Sequence, residues 1–433
     1  MVNLKRILTT DISTKLNQEV HLKGYVDQIR RLGGLTFLSI RDRKGTAQAI
    51  SEDPNIKVSD IRKYDIISMT GIVKEEAQAP KGYEVVVKGF SVLSSPKEPY
   101  PISISPKSNE KLENLLRYRG ISIRNPKVRD IFTFQQSISQ VFRNCLKSED
   151  FIEIFTPKIV SQVAESGSNM FSLKYFENNA FLTQSPQFYK QILVGSGLER
   201  VFEIGHVYRA EDHNTTRHLN EYISMDLEMG FIDSFYDLMD LEENMLRYIF
   251  KSIKEKHRGI LDEFNVELPS FDSIPRIPFL EMKEILQKKY KKKFEEEKDI
   301  DPEGERLACK YVKEKFNSDL VFLTHYPIRN RPFYTYKSRE DSSLTDSFDL
   351  LLNGIEITTG GQRIHDYDEL ISSMHEFRLN PSKYEGYLHA FKYGMPPHGG
   401  MALGLERVTM QLLGLKNIRE ATLFPRDRNR LTP

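Results

Sequence analysis

Short runs of alternating apolar and polar residues dominate the first quarter of the chain. Between residues 20 and 93 these runs are VHLKGYV, LTFLSI, TAQAI, IISMTGIV and EVVVKGFSVL, and the turn-forming stretches LGG, DRKG and APKG lie among them. Alternation with a period of two predicts β-strands, and the intervening turn residues predict that the strands are short. The polar stretch DPNIKVSDIRKY, between the third and fourth runs, has room for one helix.

Five strands with a helix after the third are typical of an OB-fold barrel, and such barrels commonly bind single-stranded nucleic acid. The first hundred residues carry 16 Lys and Arg against 12 Asp and Glu, a modest excess that suits a polyanion but is also common on inert surfaces. A small barrel or sandwich without a ligand is therefore the alternative.

The pattern changes after the proline-rich segment SSPKEPYPISISP, residues 94–106, which we interpret as a linker. RDIFTFQQSISQVFRNCLKSEDFIEIFTPKIV predicts an amphipathic helix and then a strand ending at Pro157. Further on, β-runs such as RVFEIGHVYRA and YISMDLEMGF alternate with helical stretches such as SFYDLMDLEENMLRYIFKSIKEKH. This irregular alternation predicts an α+β domain rather than a doubly wound parallel sheet.

Composition sets outer limits on the kind of protein. A chain of 433 residues, 39% of them hydrophobic, is long enough for two or three domains with buried cores. No stretch approaches ~18 uncharged apolar residues, and the N-terminus lacks the features of a signal peptide. We therefore expect a cytoplasmic protein without membrane contact. Cys145 and Cys309 match no metal-ligand spacing, which indicates reduced, structural thiols.

The segment YRAEDHNTTRHLNEY, residues 208–222, concentrates charged side chains beside a β-run. Arg209 and Glu211 are two positions apart, which predicts one face of a strand, and a polar loop then leads to Arg217 and His218. A simple cross-strand ion pair would explain the first two residues. The two further bases favour a polyphosphate ligand, because a guanidinium fork and an imidazole can face the same anion.

Two other segments pair glycines with charged residues. In PPHGGMALGLERVTMQLLG, residues 396–414, a glycine-rich turn precedes Glu406 and Arg407 at the start of an apolar helix. In SFDLLLNGIEITTGGQRIHD, residues 347–366, the oxygen ligands of Asp349 and Glu356 suit Mg²⁺, and Arg363 and His365 follow a predicted Gly-Gly turn. The chain contains neither G-x-x-x-x-G-K-[ST] nor G-x-G-x-x-G, so a bound nucleotide would need a different cradle.

These segments together resemble the class II aminoacyl-tRNA synthetases, in order and along nearly the whole chain. The helix and strand at about 131–160 are similar to motif 1, residues of about 201–229 to motif 2, and GMALGLER within about 399–414 to motif 3. The resemblance implies a barrel for anticodon binding over 1–100, a hinge over 101–130 and a catalytic domain over 131–433. It also implies a homodimer built on motif 1.

Within this class, QSPQFYKQ and GGQRIHD are similar to the aspartyl enzymes of archaeal or eukaryotic type. The physical chemistry agrees with the likeness, because an aspartate side chain loses water on entering a pocket and needs cationic donors. Lys190 and Arg363 provide two, although Lys190 alone would be interpreted as a surface lysine. The implied reaction joins L-aspartate to ATP as aspartyl-adenylate, with Mg²⁺ as cofactor, and then transfers the amino acid to tRNA(Asp).

The resemblance also implies a role for individual residues. Arg209 and Arg407 would be catalytic, and the ATP site would consist of Arg209, Glu211, Arg217, His218, Tyr222, Glu356 and Arg407. The aspartate site would consist of Glu165, Gln187, Lys190, Arg209 and Arg363. The metal site would consist of Glu356, Thr359 and Asp349, and the anticodon site of Arg30, Phe37 and Gln48.

Departures from the family pattern leave alternatives open. Arg31 stands where the family usually has an acid, and Asp27 where it often has tryptophan or histidine. Both positions bear on anticodon choice, so charging of tRNA(Asn) as well as tRNA(Asp) stays open. An asparaginyl enzyme would be expected to have a neutral group in place of Lys190, and a paralogue making a small metabolite would not need the barrel. A plain nucleic-acid-binding module would not need motifs 2 and 3.

Overall fold

The computed structural model describes residues 4–52, 56, 60–162, 170–212, 214–294 and 300–432. The chain divides into two compact units, Met1–Pro101 and Ile102–Pro433. The residues after Pro101 that the sequence assigned to a hinge group with the second unit and include helical segments. Within the described ranges, no helix combines the length and the apolar character needed to cross a membrane.

The first unit is a closed five-stranded barrel. Its strands are β1 (Glu19–Leu32), β2 (Leu35–Arg41), β3 (Thr46–Ser51), β4 (Ile66–Glu75) and β5 (Tyr83–Ser94). They close in the order β1-β2-β3-β5-β4, with β3 and β5 parallel and the other neighbours antiparallel. The OB-fold barrel expected from the strand pattern is therefore confirmed. Residues 53–55 and 57–59, where a helix was predicted, lie outside the described residues.

Alternation in the sequence explains how the barrel fills its interior. Val20 and Leu22 of β1 and Ile67 and Met69 of β4 point into one core, while the residues between them are more exposed. A register shift falls between Thr70 and Gly71, where β4 approaches β5 closely. A Cβ atom at Gly71 would collide with a backbone carbonyl of β5, so only glycine fits.

The second unit is built on a mixed, mainly antiparallel sheet. Its strands are β6 (Ile152–Glu153), β10 (Arg200–Tyr208), β11 (Glu221–Gly230), β12 (Arg276–Pro278), β13 (Leu320–Thr324), β14 (Ser347–Leu352), β15 (Ile355–Arg363) and β16 (His398–Gly404). Their order is β12-β13-β14-β15-β16-β11-β10-β6, with parallel pairing only at the two edges. A separate small sheet holds β7 (Ile159–Val160), β8 (Ser172–Tyr175) and β9 (Asn178–Leu182).

Helices flank this sheet, which confirms the α+β class. They are α1 (Leu112–Arg117), α2 (Arg119–Ser122), α3 (Pro126–Ser148), α4 (Gln187–Leu193), α5 (Tyr236–Lys256), α6 (Arg258–Phe264), α7 (Phe279–Tyr290), α8 (Pro302–Phe316), α9 (Tyr367–Glu376), α10 (Glu385–Lys392) and α11 (Leu405–Leu412). Single 3-10 turns occupy Ile12–Lys15, Pro80–Gly82, Ile328–Asn330, Pro381–Tyr384 and Ile418–Ala421, and Val194–Leu198 forms a π-type turn. The main core joins α3, α5 and α11 to the sheet, as in the packing of Phe134, Leu246 and Val408 with Leu227 and Met401.

The segment compared with motif 1 shows one confirmed and one wrong prediction. The amphipathic helix is α3, capped by the Asn125 side chain, which accepts a hydrogen bond from the Lys127 amide. The strand predicted to end at Pro157 instead covers only Ile152–Glu153. Beyond this strand, the Ile154 amide still donates to the Phe202 carbonyl at 2.8 Å, and the Thr156 hydroxyl donates to a carboxylate oxygen of Glu203 at 2.6 Å.

Candidate active site

A cavity of about 530 Å³ lies on the sheet of the second unit, lined by side chains from α4, β11, β15, β16, the loop after β10 and the start of α11. It brings together most of the residues selected from the sequence: Gln187, Lys190, Arg209, Glu211, Arg217, His218, Tyr222, Glu356, Thr359, Arg363 and Arg407. Asp349 is not among the lining residues, and Glu165 lies outside the described residues. Positions more than two hundred residues apart therefore share one space.

Strand β11 separates this cavity from the core. Met225 and Leu227 pack into the core, whereas Tyr222, Ser224 and Asp226 line the cavity, as expected from the period of a strand. The sequence interpretation missed Asp226 and also Glu228, which lies on the same face. The signal was present in YISMDLEMGF, because two acids at alternate positions in an apolar strand must share a face.

Lys190 is a buried member of an ion cluster, not an isolated cation. Its ammonium donates to Asp226 Oδ1 at 3.0 Å and to the Leu227 carbonyl at 3.2 Å, and it lies 3.4 Å from Glu228 Oε2. The side chains of Lys190, Asp226 and Glu228 are almost completely buried. The interpretation of Lys190 as a surface lysine is wrong. Its ammonium pairs with two acids, Asp226 and Glu228, that the sequence analysis did not include.

Arg363 completes the cluster. Its Nε donates to Glu228 Oε1 at 3.0 Å and its Nη2 to the Gly400 carbonyl at 2.9 Å, while Gln187 Nε2 lies 3.3 Å from both carboxylate oxygens of Glu228. Burial acts to raise the pKa of Glu228, but Arg363 and Lys190 outweigh it and hold that pKa below its usual value. The two cations, which both line the cavity, thus pair with a buried and ionised carboxylate.

Arg209 and Glu211 occupy a different backbone setting from the one predicted. Strand β10 ends at Tyr208, so both residues lie in the loop that follows it, and their side chains are 3.9 Å apart. Asn220 fixes this loop, because its side-chain amide donates to the carbonyls of Arg209 and Glu211 at 2.7 and 3.0 Å. The Arg209 guanidinium carbon lies 5.7 Å from the centre of the Tyr222 ring. Arg209 and Glu211 therefore both line the cavity, although they lie in a loop and not on a strand.

The next part of this loop carries Arg217 and His218. Arg217 Nη1 donates to a carboxylate oxygen of Glu305 of α8, and His218 Nδ1 lies 2.6 Å from the Thr215 hydroxyl. Burial raises the pKa of Glu305 to about 7, although Arg217 acts in the opposite direction. Glu305 is a third acidic residue that the sequence interpretation missed, since it belongs to an ordinary helical pattern.

The proposed metal ligands lie on adjacent strands. Asp349 of β14 is in register with Thr359 of β15, and the Thr359 hydroxyl donates to Glu356 Oε1 at 3.1 Å. Burial acts to raise the pKa of Glu356, but Arg407 and Arg331 hold it below its usual value. Arg407 Nη1 donates to the Glu356 carbonyl at 2.9 Å, while Arg331 pairs with Asp349 at 2.8 Å.

The glycine pairs flanking these residues do not form turns. Gly360 and Gly361 lie inside β15, and Gly399 and Gly400 inside β16. A Cβ atom at Gly400 would collide with the carboxylate of Glu228, so glycine here makes room for the acid that pairs with Lys190 and Arg363. Both turn predictions are therefore wrong, and the glycines serve close packing instead.

In the barrel, the three predicted anticodon residues form one surface cluster. Arg30 of β1 is in register with Phe37 of β2, and its guanidinium lies 5.9 Å from the centre of the Phe37 ring. Arg30 Nη2 donates to Gln48 Oε1 at 3.2 Å, and Gln48 Nε2 donates to Glu84 at 3.0 Å. Phe37 is only half-buried and lies outside the barrel core, because its neighbour Leu38 points inward.

Comparison with known proteins decides the family. A model of tRNA synthetases class II (D, K and N) matches residues 111–428, and a model of OB-fold nucleic acid binding domains matches residues 20–93. The chain belongs to the class II tRNA synthetases. It is therefore an aminoacyl-tRNA ligase, with ATP, an amino acid and tRNA as the substrates of its family, and the resemblance seen in the sequence motifs is confirmed.

This synthetase has relatives that match it along nearly its whole length. An Aspartate–tRNA(Asp/Asn) ligase from Aeropyrum pernix is 46% identical over 422 residues, covering 96% of this chain and 95% of the relative. An Aspartate–tRNA(Asp) ligase from Pyrococcus abyssi is 41% identical over 439 residues, covering 99% and 100%. The solved structure of an asparaginyl-tRNA synthetase from Pyrococcus horikoshii, complexed with asparaginyl-adenylate, superposes with a TM-score of 0.92 at 31% identity and covers 100% of both chains.

Proposed function

We propose that this synthetase activates L-aspartate with ATP in the cytoplasm and transfers it to tRNA(Asp). The observation that carries the proposal is the set of relatives named for aspartate, which are 41–46% identical over nearly the whole chain. The two buried cations Lys190 and Arg363 support it, because a carboxylate side chain that loses water on binding needs such donors.

In the first step, an oxygen of the aspartate α-carboxylate attacks the α-phosphorus of ATP, and the bond to pyrophosphate breaks. Arg209 would bind the α-phosphate and offset the charge that builds on its oxygens. Tyr222 and Arg407 would hold the adenine ring between them, with Glu211 accepting from its amino group. Arg217 and His218 would face the outer phosphates. No protein nucleophile is required, so positioning and electrostatics account for the catalysis.

The second step transfers the aspartyl group from the adenylate to a hydroxyl of the terminal adenosine of tRNA, with release of AMP. At the amino-acid end of the cavity, Lys190 and Arg363 would bind the substrate side chain. The carboxylates of Asp226 and Glu228 suit the substrate ammonium, with Gln187 beside them, and Glu165 would add a further acid. The cluster of two cations and two carboxylates thus offers partners for both the side-chain carboxylate and the ammonium of the substrate.

The residues around Glu356 fit a magnesium ion that accompanies ATP. Mg²⁺ usually takes only one or two protein carboxylates and completes its shell with water and phosphate oxygens. Glu356 is held ionised by Arg407 and Arg331, and the Thr359 hydroxyl lies beside it. Asp349 would contribute indirectly, because it pairs with Arg331, which helps to keep Glu356 ionised. The ion would neutralise charge on the phosphate oxygens and help orient the pyrophosphate leaving group.

For tRNA, the cluster of Arg30, Phe37 and Gln48 offers a stacking ring, an amide and a cation, the chemistry by which single-stranded bases are bound. Charging of tRNA(Asn) as well is the second candidate, favoured by the Aeropyrum pernix relative, whose name includes both tRNAs. Of the two departures from the family pattern, Asp27 pairs with Arg41 at 2.8 Å, and Arg31 is exposed.

A homodimer would cover apolar side chains near the edge strand β6. Phe155 is 85% exposed, and Ile152 and Ile159 are each 47% exposed, all within the segment compared with motif 1. A strand with unpaired backbone groups beside exposed apolar side chains is suited to pairing with another chain.

The amino-acid choice is tested by ATP–pyrophosphate exchange with aspartate and with asparagine as the only amino acid. Exchange that depends on aspartate supports the proposal. Exchange that depends on asparagine alone would contradict it and favour the activity named for the Pyrococcus horikoshii structure.

A further inference from the structure

The ion pair between Arg217 and Glu305 joins a cavity residue to a helix outside the cavity lining. Arg217 lines the cavity, whereas Glu305, in the first turn of α8, does not. The Glu305 side chain is 11% exposed and that of Arg217 23% exposed, so the pair is largely shielded from water. The Glu305 carboxylate is thus bound to the Arg217 guanidinium, which the proposed function assigns to the outer phosphates of ATP.

The surroundings of Glu305 make this contact unfavourable once a polyphosphate is present. Glu356 repels Glu305, while Arg217 and Arg407 attract it, so the carboxylate depends on the nearby arginines for its charge balance. Outer phosphate oxygens of ATP arriving at Arg217 would draw on one of these two cations. Since like charges in a shielded site repel strongly, the phosphates and an ionised Glu305 compete.

The position of the loop does not depend on Glu305 alone. Arg419 donates to the side-chain oxygen of Asn214 at 2.8 Å and to the Thr215 carbonyl at 3.0 Å, and Ile418 donates to the Thr216 carbonyl at 2.8 Å. These contacts anchor the three residues that directly precede Arg217. Removal of the Glu305 charge should therefore change the partner of Arg217 and leave the loop in place.

We infer that Glu305 competes with the outer phosphates of ATP for Arg217, so that the ion pair is a latch that ATP must open. The inference deepens the proposed function and rests on its assignment of Arg217 to the outer phosphates. In this scheme Glu305 lowers the affinity of the site for ATP. It also favours ligands with enough phosphate charge to displace the Glu305 carboxylate from Arg217. It is a positioning residue, because it acts through Arg217.

Calorimetric titration of the full chain with ATP and with AMP, both in the presence of Mg²⁺, tests the latch. Glu305→Gln keeps the shape of the side chain and removes its charge, and it should bind ATP about fivefold or more tightly than the wild type. Its affinity for AMP should be unchanged, because AMP lacks the outer phosphates. Glu314→Gln, on the exposed part of the same helix, is the matched control and should bind both ligands like the wild type.

The double variant Glu305→Gln with Arg217→Gln should lose the gain in ATP affinity, because the competition passes through Arg217. Unchanged or weaker ATP binding in Glu305→Gln, an equal gain for AMP, or a gain that survives without Arg217 would each overturn the inference. Binding is measured without any amino acid, so the result is separate from the choice between aspartate and asparagine. Absence of aspartate-dependent pyrophosphate exchange in the wild type would count against the proposed function but not against the competition between Glu305 and ATP.

Discussion

The ammonium of Lys190 lies 3.0 Å from Asp226 Oδ1, and both side chains are buried. Replacement of Lys190 by leucine should abolish aspartate-dependent pyrophosphate exchange or raise the KM for aspartate at least ~10-fold, since the substrate carboxylate loses a cationic donor. ATP binding, measured by calorimetry, should be nearly unchanged. An unaltered dependence on aspartate would contradict the assignment.

The same replacement leaves the buried carboxylate of Asp226 without its cation, which can cost about 3–5 kcal/mol of stability. The double variant Lys190→Leu with Asp226→Asn restores the charge balance and serves as the matched control for folding. It should recover the melting temperature without recovering aspartate activation. Recovery of activity in the double variant would show that Lys190 acts only on the fold.

Arg209 should act on the α-phosphate. Arg209→Ala should lower the rate of pyrophosphate exchange about 100-fold or more, because one donor aimed at developing charge is commonly worth that much. Arg258→Ala, an exposed arginine on α6, provides the control and should keep the full rate. Retention of more than about a tenth of the rate in Arg209→Ala would count against the assigned role.

Phe37 should contribute to tRNA binding without affecting amino-acid activation. Phe37→Ala should raise the KM for tRNA about 10-fold, since a stacked base is typically worth 1–3 kcal/mol. Pyrophosphate exchange without tRNA is the internal control and should proceed at the wild-type rate. A wild-type KM for tRNA would remove Phe37 from the anticodon site.

Glu242 of α5 is a fully buried carboxyl whose Oε1 lies 2.5 Å from the Thr358 hydroxyl. Burial raises the pKa of Glu242 to about 8, so the folded protein keeps this carboxyl neutral where the unfolded chain ionises it. Its stabilisation is fully present below the unfolded pKa of about 4.3, is lost as the pH rises, and the loss levels off above about pH 8.

Glu242→Gln should therefore gain melting temperature over the wild type as the pH increases from 5 to 8, by about 2 °C or more. Glu255→Gln, an exposed residue on the same helix, should show no such trend. A constant difference between Glu242→Gln and the wild type across this range would show that Glu242 is ionised in the folded protein.

Phe155 should lie in the proposed dimer interface. Phe155→Asp should shift the mass measured by light scattering from two chains to one, because a charge would be buried in an apolar contact. Tyr393→Asp, at another highly exposed aromatic residue, should leave the mass unchanged. A wild-type preparation with the mass of one chain would contradict the dimer directly.

Local periodicity made much of the fold predictable. The alternation through Val20 and Leu22 predicted a barrel strand, and the apolar face containing Phe134 and Phe142 predicted α3. Residue types in ordered motifs also identified most of the cavity lining. These features depend on neighbours in sequence, which is the information a single chain provides.

The partners of those residues could not be predicted in the same way. Asp226 is 36 positions from Lys190, and Glu305 is 88 positions from Arg217, so no local pattern joins them. Gly360 and Gly361 were predicted as a turn because paired glycines often form one, whereas a Cβ atom at either would collide with β14. Such contacts depend on how strands and helices meet in space.

Aminoacylation of purified tRNA(Asp) with labelled aspartate and, separately, labelled asparagine tests the central claim most directly. The wild-type chain with ATP and Mg²⁺ should attach aspartate to tRNA(Asp) and should not attach asparagine to either tRNA(Asp) or tRNA(Asn). Attachment of aspartate to tRNA(Asn) as well would establish the broader tRNA choice. Attachment of asparagine to tRNA(Asn), with no aspartate on tRNA(Asp), would contradict the assignment of aspartate as the substrate.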